Sequence, residues 1–265
     1  MPIKQSDIDS ASRIDRASIL LPSGAAPYVL VILNQPIGDL QLLQKLWSSA
    51  VLKVCADGGS NRLYDALNDE TRLLFKPDFI AGDLDSIRHS VKEYYESLHV
   101  PVHHFTDQDS TDFGKCLLQL GIDHPGESFP VVALGGTGGR VDQAFHSIHT
   151  LFKHEITADA DDSADKKHRQ VTLVSDESLT FLVGPGTQKV YTPRSVLGPT
   201  CGLIPISGPS IISTRGLQWD VEDWKSSFGT QVSTSNALTS DEIIIQSDLT
   251  ILFTVEIRSW VLNIP

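Results

Sequence analysis

The continuous apolar run Tyr28-Val29-Leu30-Val31-Ile32-Leu33 constrains this chain more than any other stretch. A strand with no solvent-facing side belongs in a parallel sheet covered by helices on both faces. The pattern then repeats. Asp39 to Trp47 carries Leu40, Leu43, Leu46 and Trp47 at helical spacing, and Val51 to Cys55 is a second strand. A helix starts near Asn61, Asp78 to Ala81 is a third strand, and a helix crosses Val91 to Leu98. Val100 to Phe105 is a fourth strand, Phe113, Cys116, Leu117 and Leu120 mark the next helix, and Pro130 to Leu134 is a fifth strand before a helix through Ala144, Ile148 and Leu151. Strand alternating with helix predicts an α/β fold: a Rossmann-like parallel-sheet domain with right-handed crossovers over residues 27–156.

The pattern changes on either side. Residues 1–26 show no clear periodicity and end in Pro22-Ser23-Gly24, which predicts an N-terminal extension of low order. Residues 157–170 read as a charged linker. Its Asp159, Asp161 and Asp165 imitate a calcium loop, but Ala164 stands where the glycine belongs and no Glu closes it. From 171 to 265 short apolar runs alternate with Gly, Pro, Ser and Asp turns. Val171–Val174, Leu179–Val183, Lys189–Thr192, Cys201–Ile206, Ile211–Thr214, Thr230–Thr234, Glu242–Gln246 and Thr250–Ile257 are candidate strands of an antiparallel β-sandwich, with Trp260 in a tail or last edge strand.

In a parallel sheet the loops after the strands share one rim, where open α/β sheets bind their ligands. That rim collects Asp57, Asp83, Asp85, Asp107, Asp109, Asp112 and Asp142 with Gln108, Lys115 and Arg140. Asp83 and Asp85 stand one residue apart after Gly82 and point the same way. Two carboxylates held so close need a cation, and hard oxygen donors without His or Cys suit Mg²⁺. Taken alone, Gly82-Asp83-Leu84-Asp85-Ser86 could equally be a polar turn capping the next helix. Gly135-Gly136-Thr137-Gly138-Gly139-Arg140 lets backbone N–H groups approach an anion, with Arg140 able to fork onto phosphate oxygens. Asp57-Gly58-Gly59 offers the same close approach. Ser110 or Thr111 caps the helix that carries Asp112 and Lys115.

Other chemistry is absent or disfavoured. No Walker A, G-x-G-x-x-G, H-E-x-x-H or G-x-S-x-G motif occurs. Thirty-three acids against 21 bases leave a formal charge of −12, which opposes nucleic acid and anionic membrane. Apolar runs are too short to span a bilayer. The three cysteines, Cys55, Cys116 and Cys201, form no C-x-x-C and read as reduced core thiols of a cytoplasmic protein. Trp219 reads by default as a core residue.

Taken in order, Cys55-Ala56-Asp57-Gly58-Gly59, Asn61-Arg62-Leu63, Asp78-Phe79-Ile80 with Gly82-Asp83, Asp85-Ser86-Ile87, Asp107-Gln108-Asp109 with Thr111-Asp112-Phe113 and Lys115-Cys116-Leu117 form a recognisable series. Gly135-Gly136 with Gly139-Arg140 and Asp142-Gln143, Cys201-Gly202-Leu203-Ile204-Pro205, and Val232-Ser233-Thr234-Ser235-Asn236 complete it. The series resembles the eukaryotic, fungal-type thiamine pyrophosphokinases over about residues 28 to 257. The resemblance implies a catalytic α/β domain, a thiamine-binding β-sandwich, and a homodimer with active sites at the subunit interface. It further implies transfer of pyrophosphate from ATP to thiamine, with Asp83, Asp85 and Asp112 as Mg²⁺ ligands and, with Arg140 and Asp142, as catalytic residues. Asp57, Gly58, Gly59, Asn61, Gln108, Ser110, Thr111, Lys115, Gly136 and Gly139 are implied to bind nucleotide and phosphates, and Trp219, Ser235 and Asn236 to bind thiamine. Two rivals remain at this point. Asp83-Leu84-Asp85 imitates the D-x-D of haloacid-type Mg²⁺-dependent phosphatases, and a non-catalytic thiamine- or nucleotide-binding module would keep the acids as structure.

Overall fold

The computed structural model describes residues 3–23, 25–107, 110–156 and 169–259. Gln108, Asp109, most of the 157–170 linker with its calcium-like aspartates, and Trp260 lie outside the described residues. The chain divides into two compact units, one formed by residues 26–176 and the other by residues 1–25 with 177–265.

The first residues are not a loose extension. They form helix α1 (Gln5–Asp9), strand β1 (Ser12–Ile14) and a single 3-10 turn at Ser18–Leu20, and they belong to the β-rich unit. Ile3, Ala17, Ile19 and Leu20 are buried, and Arg215 donates to the Ile3 carbonyl. At three residues, β1 is too short to show any alternation, so pairing rather than pattern makes it a strand.

The α/β unit runs β2 (Val29–Ile32), α2 (Leu40–Ser49), β3 (Leu52–Ala56), α3 (Gly59–Ala66), α4 (Asp69–Arg72), β4 (Phe79–Gly82), α5 (His89–Ser97), β5 (Val102–His104), α6 (Asp112–Asp123), β6 (Val131–Leu134), α7 (Val141–Glu155) and β7 (Val171–Val174). All its strands are parallel, in the order β7-β6-β2-β3-β4-β5. Every residue of β2, β4, β6 and β7 is buried, as their unbroken apolar character requires. Asp39 starts α2 by accepting from the Gln41 and Leu42 N–H groups, and the helix buries Leu42, Leu43, Leu46 and Trp47. Helix α6 buries Phe113, Cys116, Leu117 and Leu120 at positions i, i+3, i+4 and i+7 against β3 and β4. Chain order reverses between β2 and β6, so the loops after these two strands diverge and leave a crevice at the carboxyl edge.

Strand β7 corrects the sequence reading, which placed Val171–Val174 with the antiparallel strands. It pairs in parallel with β6, from Val131 beside Val171 to Leu134 beside Val174. A four-residue apolar run fits either kind of sheet, and no helix follows to betray the choice.

The β-rich unit continues with β8 (Ser178–Val183), β9 (Gly186–Tyr191), β10 (Leu197–Ile204), β11 (Ser210–Arg215), β12 (Trp224–Ser226), β13 (Ser233–Ala237), β14 (Glu242–Ser247) and β15 (Ile251–Ile257). One sheet runs β1-β9-β14-β11-β12, and four antiparallel strands run β13-β10-β15-β8. Only the β1–β9 pair is parallel among the described strand pairs of this unit. The sequence placed a strand at Thr230–Thr234; the strands are instead Trp224–Ser226 and Ser233–Ala237, joined through a turn in which Ser227 N donates to the Gln231 carbonyl. The predicted class, a parallel α/β sheet plus an antiparallel β domain, is the observed one. No helix among the described residues is long and apolar enough to cross a membrane.

Candidate active site

The acidic loop after β4 is shaped from below by a residue of the preceding loop. Asp57 follows β3 with a left-handed φ of 39° and has no exposed surface. Its carboxylate accepts the Ser86 N–H at 2.9 Å and the Ile87 N–H at 3.0 Å. Asn61, in the first turn of α3, continues the brace: its amide donates to the Ser86 carbonyl at 2.8 Å and accepts the Arg88 N–H at 3.0 Å. Between them these two side chains fix residues 86 to 88, so Asp83 and Asp85 project from a held loop. Gly82 is needed where it stands. A Cβ there would lie 2.6 Å from that of Asp57 and 3.0 Å from an Asp112 carboxylate oxygen.

Carboxylate oxygens of Asp57, Asp83 and Asp85 lie within 4.8 Å of one another. Asp112 joins them from the first turn of α6, with Oδ1 3.3 Å from the Asp83 N–H. Lys115, one turn further and almost wholly buried, sets its Nζ 2.9 Å from Asp83 and 3.4 Å from Asp112. Thr111 caps this helix, accepting the Gly114 N–H.

Crowding shows in the acidities. Burial, helped by the neighbouring Asp112 and Asp83 charges against the two N–H bonds, pushes Asp57 up to about 6. Burial and then the Asp83 charge also raise Asp112, despite Lys115. At Asp83 burial acts upward but is outweighed by Lys115 and by hydrogen bonding with Asp85, and the carboxyl falls below its ordinary value. Lys115 in turn is raised, because the two carboxylates overcome its burial. Four aspartates with no histidine or cysteine among them are a set of hard oxygen donors that fits Mg²⁺.

These residues border a cleft of about 600 Å³ at the β2–β6 crevice. Of the predicted site residues, Asp83, Asp85, Ser110, Thr111, Asp112, Gly136, Gly139 and Arg140 line it. Asp57, Gly58, Gly59, Asn61, Lys115 and Asp142 stand behind or beside it. Gly59 opens α3 against the Ile32 carbonyl, and Gly136 packs on Leu173. Gly139 has a left-handed φ of 71° and leaves room for the Gln35 side chain. Arg140 is exposed on the lip and forks onto Asp142 through Nε at 3.1 Å and a terminal nitrogen at 2.5 Å. Sequence reasoning missed Asn34, Gln35, Arg62, Gln143 and His146 among the lining residues. Asn34 and Gln35 follow β2 at the same carboxyl edge as every other site loop, which was the available signal.

The predicted thiamine residues lie in the β-rich unit. Trp219 is not a core residue: it is 61% exposed. Asn236 is buried and clamps the Trp219 backbone, donating to its carbonyl at 2.9 Å and accepting its N–H at 3.2 Å. Ser235 is exposed with a left-handed φ of 58°. The buried amide shapes the loop that displays the indole.

Two family models match the chain: the thiamin pyrophosphokinase catalytic domain over residues 43–160 and the thiamin pyrophosphokinase vitamin B1 binding domain over residues 187–252. Thiamine pyrophosphokinase 1 of Oryza sativa subsp. japonica is 36% identical over 250 residues, covering 89% of each chain. The thiamine pyrophosphokinase of Saccharomyces cerevisiae is 31% identical over 94% of this chain and 92% of its own. The crystal structure of yeast thiamin pyrophosphokinase superposes with a TM-score of 0.83 at 30% identity, over 98% of this chain and 95% of that one. With both models and near full-length relatives in agreement, the chain belongs to the thiamine pyrophosphokinase family.

Proposed function

We propose that the cleft at the β2–β6 crevice carries ATP for pyrophosphoryl transfer to thiamine, giving thiamine diphosphate and AMP. The enzyme is a thiamine pyrophosphokinase. The observation that carries the site assignment is the convergence of Asp57, Asp83, Asp85 and Asp112 on one edge, around a buried lysine. The thiamine hydroxyl oxygen attacks the β-phosphorus of ATP, the bond from that phosphorus to the α,β-bridging oxygen breaks, and AMP departs with the oxygen. A rim carboxylate takes the hydroxyl proton.

Such a transfer needs positioning and charge neutralisation more than covalent help. Asp83, Asp85 and Asp112 would hold Mg²⁺, which supplies positive charge to the phosphate oxygens when bound. Lys115 orients Asp83 and Asp112 and limits their mutual repulsion. Asp57 and Asn61 keep the acidic loop in shape. Arg140 and the Gly135–Gly139 loop receive phosphate oxygens, Arg140 exchanging Asp142 for the anion. Exposed Trp219 stacks on the thiazolium cation, with Ser235 beside it and Asn236 holding the loop. The family resemblance further supports a homodimer whose active sites lie at the subunit interface. Three buried, unpaired thiols support a reducing compartment such as the cytoplasm.

Incubating the protein with ATP, Mg²⁺ and thiamine should yield AMP and thiamine diphosphate in equal amounts. Release of inorganic phosphate with a trapped phospho-aspartate would instead restore the phosphatase reading, and binding without turnover the non-catalytic one.

A further inference from the structure

We propose that Arg62 binds the phosphate chain in the cleft and that Asn34 positions it for that purpose; the assignment rests on reading the cleft as the ATP site. Three strong cations stand at the cleft. Lys115 is ion-paired with Asp83 and Asp112, and Arg140 with Asp142. Arg62 is different. It lines the cleft from the first turn of α3, half-buried, and its Nε donates to Asn34 Oδ1 at 2.8 Å. No carboxylate pairs with it among the described residues.

A guanidinium held through Nε by a neutral amide keeps its full charge and presents its terminal N–H groups in a fixed plane. Placed on the wall of an acidic cleft, it supplies the positive charge that a polyphosphate needs and the carboxylates alone cannot give.

Asn34 is itself held in place by fit. A Cβ on Gly58 would come 2.3 Å from Asn34 Nδ2 and 2.6 Å from its Cγ. Glycine at 58 therefore makes room for the amide that aims Arg62, which differs from the direct backbone approach to phosphate read from the sequence. The chain thus builds a connected device from two loops and a helix: Asn34 after β2, Gly58 after β3, and Arg62 on α3.

The test uses full-length protein with Mg²⁺ and no thiamine, and measures the Kd of ATP and of inorganic tripolyphosphate by calorimetry. Arg62→Gln should weaken both anions by roughly 10- to 100-fold, the size of a charge-assisted hydrogen bond pair. Arg62→Lys should recover part of that loss. Asn34→Ala and Gly58→Ala, which leave the charge but release its aim, should each weaken both anions by a smaller factor. An Arg62→Gln protein that binds ATP within about twofold of wild type, or one that loses ATP but not tripolyphosphate, overturns the assignment. Wild-type protein that binds neither anion overturns the cleft reading and this assignment with it, whereas wild-type binding beside an unaffected Arg62→Gln overturns this assignment alone.

Discussion

Asp57 and Asp83 are both acids of one loop cluster, yet they ask for different substitutions. Asp57 is wholly buried and accepts two backbone N–H groups. Asp57→Ala leaves those donors without a partner, which should cost about 1–3 kcal/mol in a urea unfolding experiment and loosen the acidic loop enough to impair turnover. Asp83 faces the cleft. Asp83→Asn should leave the unfolding midpoint close to wild type, because Lys115 keeps Asp112 as a partner, while AMP release falls by about a hundredfold or more. The sequence revealed that these acids share a rim, since strand–helix alternation alone places the loops. It did not reveal which side chains brace and which face the ligand. Asp57 and Asn61 carry polar groups suited to either task, and only the 2.8–3.0 Å bonds to residues 86–88 separate them.

At the scale of elements, α6 carries the most chemistry for its length. Thr111 caps it, Asp112 and Lys115 occupy one face, and Phe113, Cys116, Leu117 and Leu120 seat it on the sheet. Thr111→Ala should lower stability by about 0.5–1 kcal/mol in the same unfolding assay, the lower part of the range for a lost cap, and Thr111→Ser should restore it. This helix was legible because its apolar spacing and its cap agree. Other elements were not. Val171–Val174 has no flanking signal for parallel or antiparallel pairing, and Ser12–Ile14 is too short to show alternation. Trp219 reads as core from composition, yet the buried partner is Asn236, whose amide satisfies the Trp219 backbone and leaves the ring exposed. Burial of a polar residue in place of an aromatic one has no sequence signature.

For the whole molecule, the proposed homodimer makes a prediction that neither half can make alone. If each active site joins the acids of one subunit to Trp219 of the other, Asp83→Asn and Trp219→Ala proteins are each inactive. Co-refolding the two should restore AMP formation, because one of the two sites in a mixed dimer has both parts intact. Equal inactivity before and after mixing, with mixed dimers present by mass spectrometry, would show that a single subunit supplies both parts.

The pairing of β1 with β9 sets the order of events during synthesis. Arg13 emerges from the ribosome long before Lys189, its neighbour in the finished sheet, and the whole of residues 26–176 is made in between. The α/β unit is contiguous and can collapse as it emerges, while β1 waits without the strand it pairs with. Strand β1 therefore stays without its neighbour until β9 has been made, and this edge of the sheet is completed only after the α/β unit.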